Sequence, residues 1–284
     1  MVRIGVHVSI AGSIDRAVDR AIASGCDAFQ IFSRNPRGWQ SRELTSEEID
    51  LFISKRKSSG MDPAVDHMPY LPNLASSKEG VYTKSVQALT IELKRCQILG
   101  IPYLVTHLGS HLGIGQKKGF ELIGNALDTA LSSAENDVVL LLENGAGTKN
   151  SMASTFENIA AIIESSNMND RRLGVCLDTC HLHVSGYELR TSAGLEMTLD
   201  QFQSCIGLER LLLIHLNDSQ GVQGSGLDRH EHIGLGEIGI QGFRAILGHP
   251  VLQSLPMILE TPVNSCRDDR ENIAVVRQLA SGRK

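Results

Sequence analysis

The sequence is expected to fold as an α/β protein, a single (β/α)8 TIM barrel with extended βα loops over its C-terminal face. Three observations carry this expectation. Short apolar, β-branched runs alternate with amphipathic helical patterns through eight units. No low-complexity linker or block of like charge interrupts the series, so residues 1–284 are read as one domain. No GxGxxG follows the first strand, which counts against the main competitor, a doubly wound open sheet.

Taken in order, strands are expected at residues 4–8, 28–32, 64–66, 103–106, 138–142, 173–177, 211–214 and 257–259. Helices are expected at 13–24, 46–58, 83–99, 120–133, 155–163, 199–206, 241–247 and 270–279. Thr45-Ser46-Glu47-Glu48 reads as a helix start with a capping hydroxyl, and the third helical pattern closes on Gly100. Two connections, 33–44 and 217–237, are longer than a barrel needs. Long βα loops lie over the catalytic face, so both are functional candidates.

The stretch 174–181, Gly-Val-Cys-Leu-Asp-Thr-Cys-His, is the focus of the chain: a buried strand ends on Asp178, and His181 follows in the exit loop. By itself it is ambiguous, because Asp-Thr after a strand also caps loops. The same arrangement recurs, however. Strands three to eight run into His67, His107, Glu143, Asp178, His215 and Glu260. Asp, Glu and His fill only about 15% of positions, so six successive endings of this kind are not expected by chance. In a barrel those side chains converge on one mouth. A lone His at a strand end is more often a hydrogen-bonded structural residue, and a lone carboxylate often caps the next helix. Packing all of them together without cations would strain the fold, so a zinc site is the better account. Asp228-Arg229-His230 adds a further cluster, since residues i and i+2 of an extended segment point the same way. With His181 it makes a three-residue site.

Composition sets the outer limits. Hydrophobic content of 42% suits a sizeable core, and no run approaches membrane-spanning length. The N-terminus lacks a signal-like segment, so the cytoplasm is the expected compartment. The six cysteines include no CxxC pair, which argues against a disulfide framework or a zinc ribbon. A net charge of −5 is unusual for a nucleic-acid binder, but three bound Zn²⁺ would more than cancel it. The 33–39 stretch, Ser-Arg-Asn-Pro-Arg-Gly-Trp, offers Arg34 and Arg37 for phosphates and Trp39 to fill space in a distorted duplex, although such a stretch is more often a solvated loop. Cys180 and His7 lie near the site, while His111, His183, His232 and His249 read as loop or surface residues.

Three segments carry a resemblance to a known family: His67 to Ala75 (His-Met-Pro-Tyr-Leu-Pro-Asn-Leu-Ala), residues 174–181, and Ile214-His215-Leu216-Asn217-Asp218-Ser219 running on to Asp228-Arg229-His230. They resemble the signature segments of the endonuclease IV family, the trinuclear-zinc apurinic/apyrimidinic (AP) endonucleases of DNA base-excision repair. The likeness covers essentially the whole chain. It implies that His67 and His107 hold one Zn²⁺, which Glu143 bridges to a second. Asp178, His215 and Glu260 complete that second site, and His181, Asp228 and His230 hold a third. It also implies incision of duplex DNA 5′ to an abasic site, leaving 3′-hydroxyl and 5′-deoxyribose-phosphate ends. A metal-bridged hydroxide is the implied nucleophile, with Glu143 and Glu260 the catalytic carboxylates. Arg37, Tyr70 and Leu71 are the implied DNA-binding wedges, replacing a flipped-out nucleotide. Flipping costs least where no base remains to unstack. Pro72 and Gln220 depart from the usual pattern, and losing a Lys at 220 removes a phosphate contact. A monomer is expected. Two other classes compete: a sugar isomerase or epimerase on a metal-bearing barrel, which needs fewer imidazoles, and a damage-binding protein without hydrolysis, which could dispense with Glu143.

Overall fold

A computed structural model describes residues 2–168 and 172–282. Eight parallel strands close into a barrel: β1 (Arg3–His7), β2 (Ala28–Ile31), β3 (Ala64–His67), β4 (Tyr103–Thr106), β5 (Val139–Glu143), β6 (Leu173–Asp178), β7 (Leu211–His215) and β10 (Pro256–Leu259). Each pairs with its neighbours in chain order, and β10 pairs with β1 to close the ring. A two-stranded antiparallel pair, β8 (Asp218–Ser219) and β9 (His230–Glu231), lies outside it within the long seventh loop. Helices α1 (Arg16–Ser24), α2 (Ser46–Ser59), α3 (Glu79–Leu99), α4 (Gln116–Ala134), α5 (Phe156–Ser165), α7 (Ser192–Cys205), α8 (Gly239–Gly248) and α9 (Asp269–Ala280) connect the strands. A short α6 (Thr179–Val184) springs directly from the end of β6.

The strands fall within a residue of their expected limits. Helix starts were harder to place. α7 begins at Ser192, not 199, because Thr191 accepts a hydrogen bond from the Gly194 amide at 3.1 Å and starts a turn that has little apolar periodicity. The expected cap at Thr45 is present as a reciprocal pair with Glu48, and Gly100 ends α3 in the left-handed region at φ 65°.

Strand parity organises the molecule. Ala28, Val65, Val105, Leu141, Cys176, Leu213 and Ile258 point inward and form a dry plug inside the barrel. Side chains two residues apart share a face, so the next inward positions are Gln30, His67, His107, Glu143, Asp178, His215 and Glu260. Every one of them is polar. The apolar layer seals the barrel below and the polar layer opens at the C-terminal mouth. On β1 the plug position is Gly5, where a Cβ would sit 1.8 Å from the Ala28 carbonyl oxygen, so only a bare backbone fits. The larger core fills the space between strands and helices, with Phe29, Phe52, Phe156, Phe202 and Phe243 fully buried.

Candidate metal centre

The residues expected from strand ends do converge. Glu143 is buried at the centre, with His67 Nε2 3.1 Å from its Oε2 and His107 Nδ1 3.3 Å from the same oxygen. His215 Nδ1 lies 3.1 Å from Glu143 Oε1 and 3.5 Å from Glu260 Oε2. On the other side, His181 Nε2 is 3.2 Å from Asp228 Oδ1, and His230 Nε2 is 3.6 Å from Asp178 Oδ2. Donor atoms of His67, Glu143 and His215 lie within 4.8 Å of one another, as do those of Glu143, Asp178, His215 and Glu260, and those of Asp178, His181 and His230. These groups are close enough to hold metal ions. A cleft of about 350 Å³ opens above them, lined in part by His7, Phe32, Tyr70 and Val263.

Asp178 stands in the cluster and is also a cap. Its Oδ1 caps α6 by accepting from the His181 amide at 2.8 Å, and that turn carries the His181 ring back over the mouth. The exit segment expected as a loop is therefore a helix whose cap belongs to the cluster.

Hydrogen bonding around the rings supplies a physical test for metal. A neutral imidazole has one N–H donor and one lone pair. His67 Nδ1 donates to the Met68 carbonyl at 2.7 Å, His181 Nδ1 to the Asn144 carbonyl at 2.9 Å, and His230 Nδ1 to the Glu260 carbonyl at 3.0 Å. His215 Nε2 donates to Gln30 Oε1 at 2.9 Å; the Gln30 amide nitrogen must donate to Glu260 Oε1, 2.7 Å away, which fixes the direction of that amide. In each ring the remaining nitrogen presents a lone pair to a carboxylate oxygen. Acceptor then faces acceptor, and a cation or a proton must lie between them. His230 Nε2 is the clearest case, buried with no hydrogen-bond partner among the described residues. Four imidazoles oriented by backbone and amide oxygens, with carboxylates interleaved, form a donor set that suits zinc.

The electrostatics agree. Burial would raise the Glu143 carboxyl, but His107, His215 and His67 outweigh it and hold the group well below the usual carboxylate range. Against the same burial, His215, His7 and His67 hold Glu260 well below that range. Burial would lower His181, yet Asp178, Asp228 and Glu143 carry it up to about 10. Burial pushes the His107 imidazole down despite Glu143. Cys180 also lies beside Asp228 and His230, but burial and Asp178 push its thiol up to about 12, and a protonated thiol is a poor ligand.

Around the rim, Arg37 is exposed, and Tyr70 and Leu71 are 65% and 40% exposed, with Tyr70 stacked edge-on to Phe32 at the cleft wall. Several other expectations fail. Arg34 is buried against Glu92 and does not face solvent. Trp39 is half-buried, packed partly against the core with Lys84 6.0 Å from its ring. His183 is buried in α6, not in a loop or at the surface, and neither of its ring nitrogens finds a partner among the described residues; His232 is a loop residue as expected, though buried, and bonds Asn264 and Asn272. His111 is a loop residue as expected, its Nδ1 accepting from the Gly113 and Gly115 amides.

Sequence reasoning missed the supporting shell. Gln30 links Glu260, His215 and His7. Asn144 accepts from the Asp178 amide at 2.7 Å, and Asn217 donates to Asp178 Oδ2 at 2.7 Å while accepting from the Glu260 amide at 2.8 Å. Asp218 accepts backbone bonds from Ser219, Gly234, Gly236, Ile238 and Gly239, tying both ends of the seventh loop to one carboxylate. Their signal was present: Gln30 is a polar residue on a buried strand, Asn144 directly follows Glu143, and Asn217 lies two residues beyond His215.

Comparison with known proteins completes the picture. Residues 18–279 match the family model of the xylose isomerase-like TIM barrel. The chain is 54% identical over 281 residues to the probable endonuclease 4 of Methanoculleus marisnigri, covering 99% of both chains. It is 56% identical over 283 residues to that of Methanosphaerula palustris, again covering 99% of both. The crystal structure of endonuclease IV from Thermus thermophilus superposes with a TM-score of 0.87 at 37% identity, covering 99% of each chain. With full-length relatives at this level of identity and a barrel mouth built from convergent imidazoles and carboxylates, the chain belongs to the endonuclease IV family of nucleases.

Proposed function

We propose that this protein is a zinc-dependent AP endonuclease of DNA base-excision repair, hydrolysing the phosphodiester 5′ to an abasic site to leave 3′-hydroxyl and 5′-deoxyribose-phosphate ends. The observation that carries the reading is the set of four imidazoles whose second nitrogens face carboxylate oxygens across gaps that only a cation or a proton fills. His67, His107 and Glu143 would hold one zinc; Glu143, Asp178, His215 and Glu260 a second; His181, Asp228 and His230 a third. Bound there, zinc supplies Lewis-acid charge and a water acidic enough to attack phosphorus at neutral pH.

The chain's own residues do the rest. Glu143 and Glu260 orient the attacking water at the floor of the cleft. Gln30 and Asn217 keep Glu260 from rotating away, one through its side chain and one through its amide. Phe32, Leu259 and Val263 supply apolar walls that limit water beside the reacting phosphate. Arg37, Tyr70 and Leu71 stand at the rim, where they would wedge into the duplex opposite an extruded abasic nucleotide. Selection of abasic DNA then follows from the low cost of extruding a nucleotide without a base. The protein is proposed to act as a monomer.

Metal analysis coupled to a nicking assay tests the reading. Purified protein is expected to carry about three zinc ions and to nick duplex DNA containing a reduced abasic analogue. Cleavage that needs an intact aldehyde, with a covalent adduct trapped by borohydride, would show a Schiff-base lyase instead.

A further inference from the structure

The loop that presents Arg37 is fastened from behind by buried charge. Arg34, Glu92 and Arg95 are 5%, 0% and 7% exposed, and all lie away from the metal cluster. Arg34 Nε pairs with Glu92 Oε1, and its Nη1 donates to the carbonyl of Trp39 at 2.8 Å. Arg95 Nη2 donates to the carbonyl of Ser33 at 2.5 Å, its Nε to Ser33 Oγ at 2.9 Å, and its Nη1 to the carbonyl of Arg42 at 3.0 Å. Ser33 Oγ in turn donates to Glu92 Oε2 at 2.6 Å. Glu92 and Arg95 both belong to α3, so that one helix grips the loop at residues 33, 34 and 42, on either side of Arg37.

The same network reaches the metal-bearing strand. Asp66 Oδ1 accepts from the Ser33 amide at 2.8 Å and from the amide of His67, its own neighbour on β3, at 3.0 Å. One carboxylate oxygen thus joins the root of the loop to the backbone of a ligand. Apolar residues would fill this volume more cheaply, since buried charges pay a desolvation cost. What charge and fork-shaped donors add is a fixed backbone register.

We propose that the Arg34–Glu92–Arg95 clasp positions the Arg37 loop relative to the metal-bearing mouth and so sets affinity for the lesion-bearing duplex without acting on the chemical step. This rests on the DNA reading above. In that scheme Arg34 and Arg95 are positioning residues that touch no substrate.

The test uses full-length, zinc-loaded Arg95→Lys, which keeps the charge but loses the fork, with Ser33→Ala as a milder variant should the first fold poorly. Without DNA, amides of residues 34–42 are expected to exchange about tenfold faster in Arg95→Lys while those of β3 and β4 stay protected. KM for abasic duplex is expected to rise about tenfold with kcat within about twofold of wild type. Adding Arg37→Ala to Arg95→Lys should give a KM no higher than Arg37→Ala alone, because the clasp acts through Arg37. Unchanged KM, a fall in kcat alone, or effects of the two substitutions that multiply would overturn the clasp. Wild-type protein that fails to nick abasic duplex would overturn the DNA reading itself, a result separable from all of these.

Discussion

Candidate ligands arrive at the mouth from strand ends and from a loop. His67, Glu143, Asp178 and His215 are the final residues of barrel strands, and all are 3% exposed or less. Asp228 and His230 come from the long seventh loop, and their side chains are 51% and 19% exposed. The first group stands directly on the apolar plug, each ligand two residues above an inward-facing plug residue, so its geometry is set by the sheet before any ion binds. The second depends on a loop held by the buried Asp218 and by backbone bonds to α6, with Asp228 itself reaching solvent. One half of the site is preorganised by the fold and the other is completed by an arm that closes over it.

The strongest challenge to this contrast is Glu143→Gln. It removes the central carboxylate while keeping its shape, and cleavage is expected to fall by about a thousandfold or more while DNA binding changes far less. Near-normal turnover in single-turnover assays would refute a central role. The supporting shell comes next: Gln30→Met should cost about 10- to 100-fold in activity or zinc affinity, because His215 and Glu260 both lose their orienting partner. An unchanged variant would mean that the plug alone orients those ligands.

The side of the site shared by His181, Asp228 and His230 should respond to pH. Burial would lower His181, but Asp178, Asp228 and Glu143 raise it to about 10, so a metal ion bound there would displace a proton. Affinity of the third ion is therefore expected to rise roughly tenfold per pH unit from neutrality toward about 10, and to weaken as pH falls. Calorimetry in buffers of different ionisation enthalpy would detect the released proton, and pH-independent affinity would contradict it. The smallest effect concerns order of loss. Limited chelation should remove about one ion in three first, from the His181, Asp228 and His230 site, with the remaining zinc measured by mass spectrometry.

The convergence of strand-end residues was legible in the sequence because strand periodicity is local: an apolar run of the right length ending on His, Glu or Asp states both the strand and the direction of its last side chain. α6 and the β8–β9 pair were not legible, since six-residue and two-residue elements show no periodicity and are defined by hydrogen bonds that the sequence does not display. Arg34 was misread for a different reason. Beside Arg37 in a polar stretch it looks like a phosphate contact, whereas its partner Glu92 lies in a distant helix whose inward face only the fold reveals. His183 was misplaced in the same way, as a polar residue outside the strands that tertiary packing then buried.

The five backbone bonds that converge on Asp218 have a consequence for how the seventh connection keeps its shape. They anchor the seventh connection where it leaves the barrel and where it returns, and β8 and β9 zip the two sides together just beyond. The arch at residues 220–227 is pinned in turn to α6, with the Gly224 and Gly226 amides donating to the His183 and Val184 carbonyls at 3.1 and 2.9 Å. A change of length there would be felt at the helix that carries His181 as well as at His230.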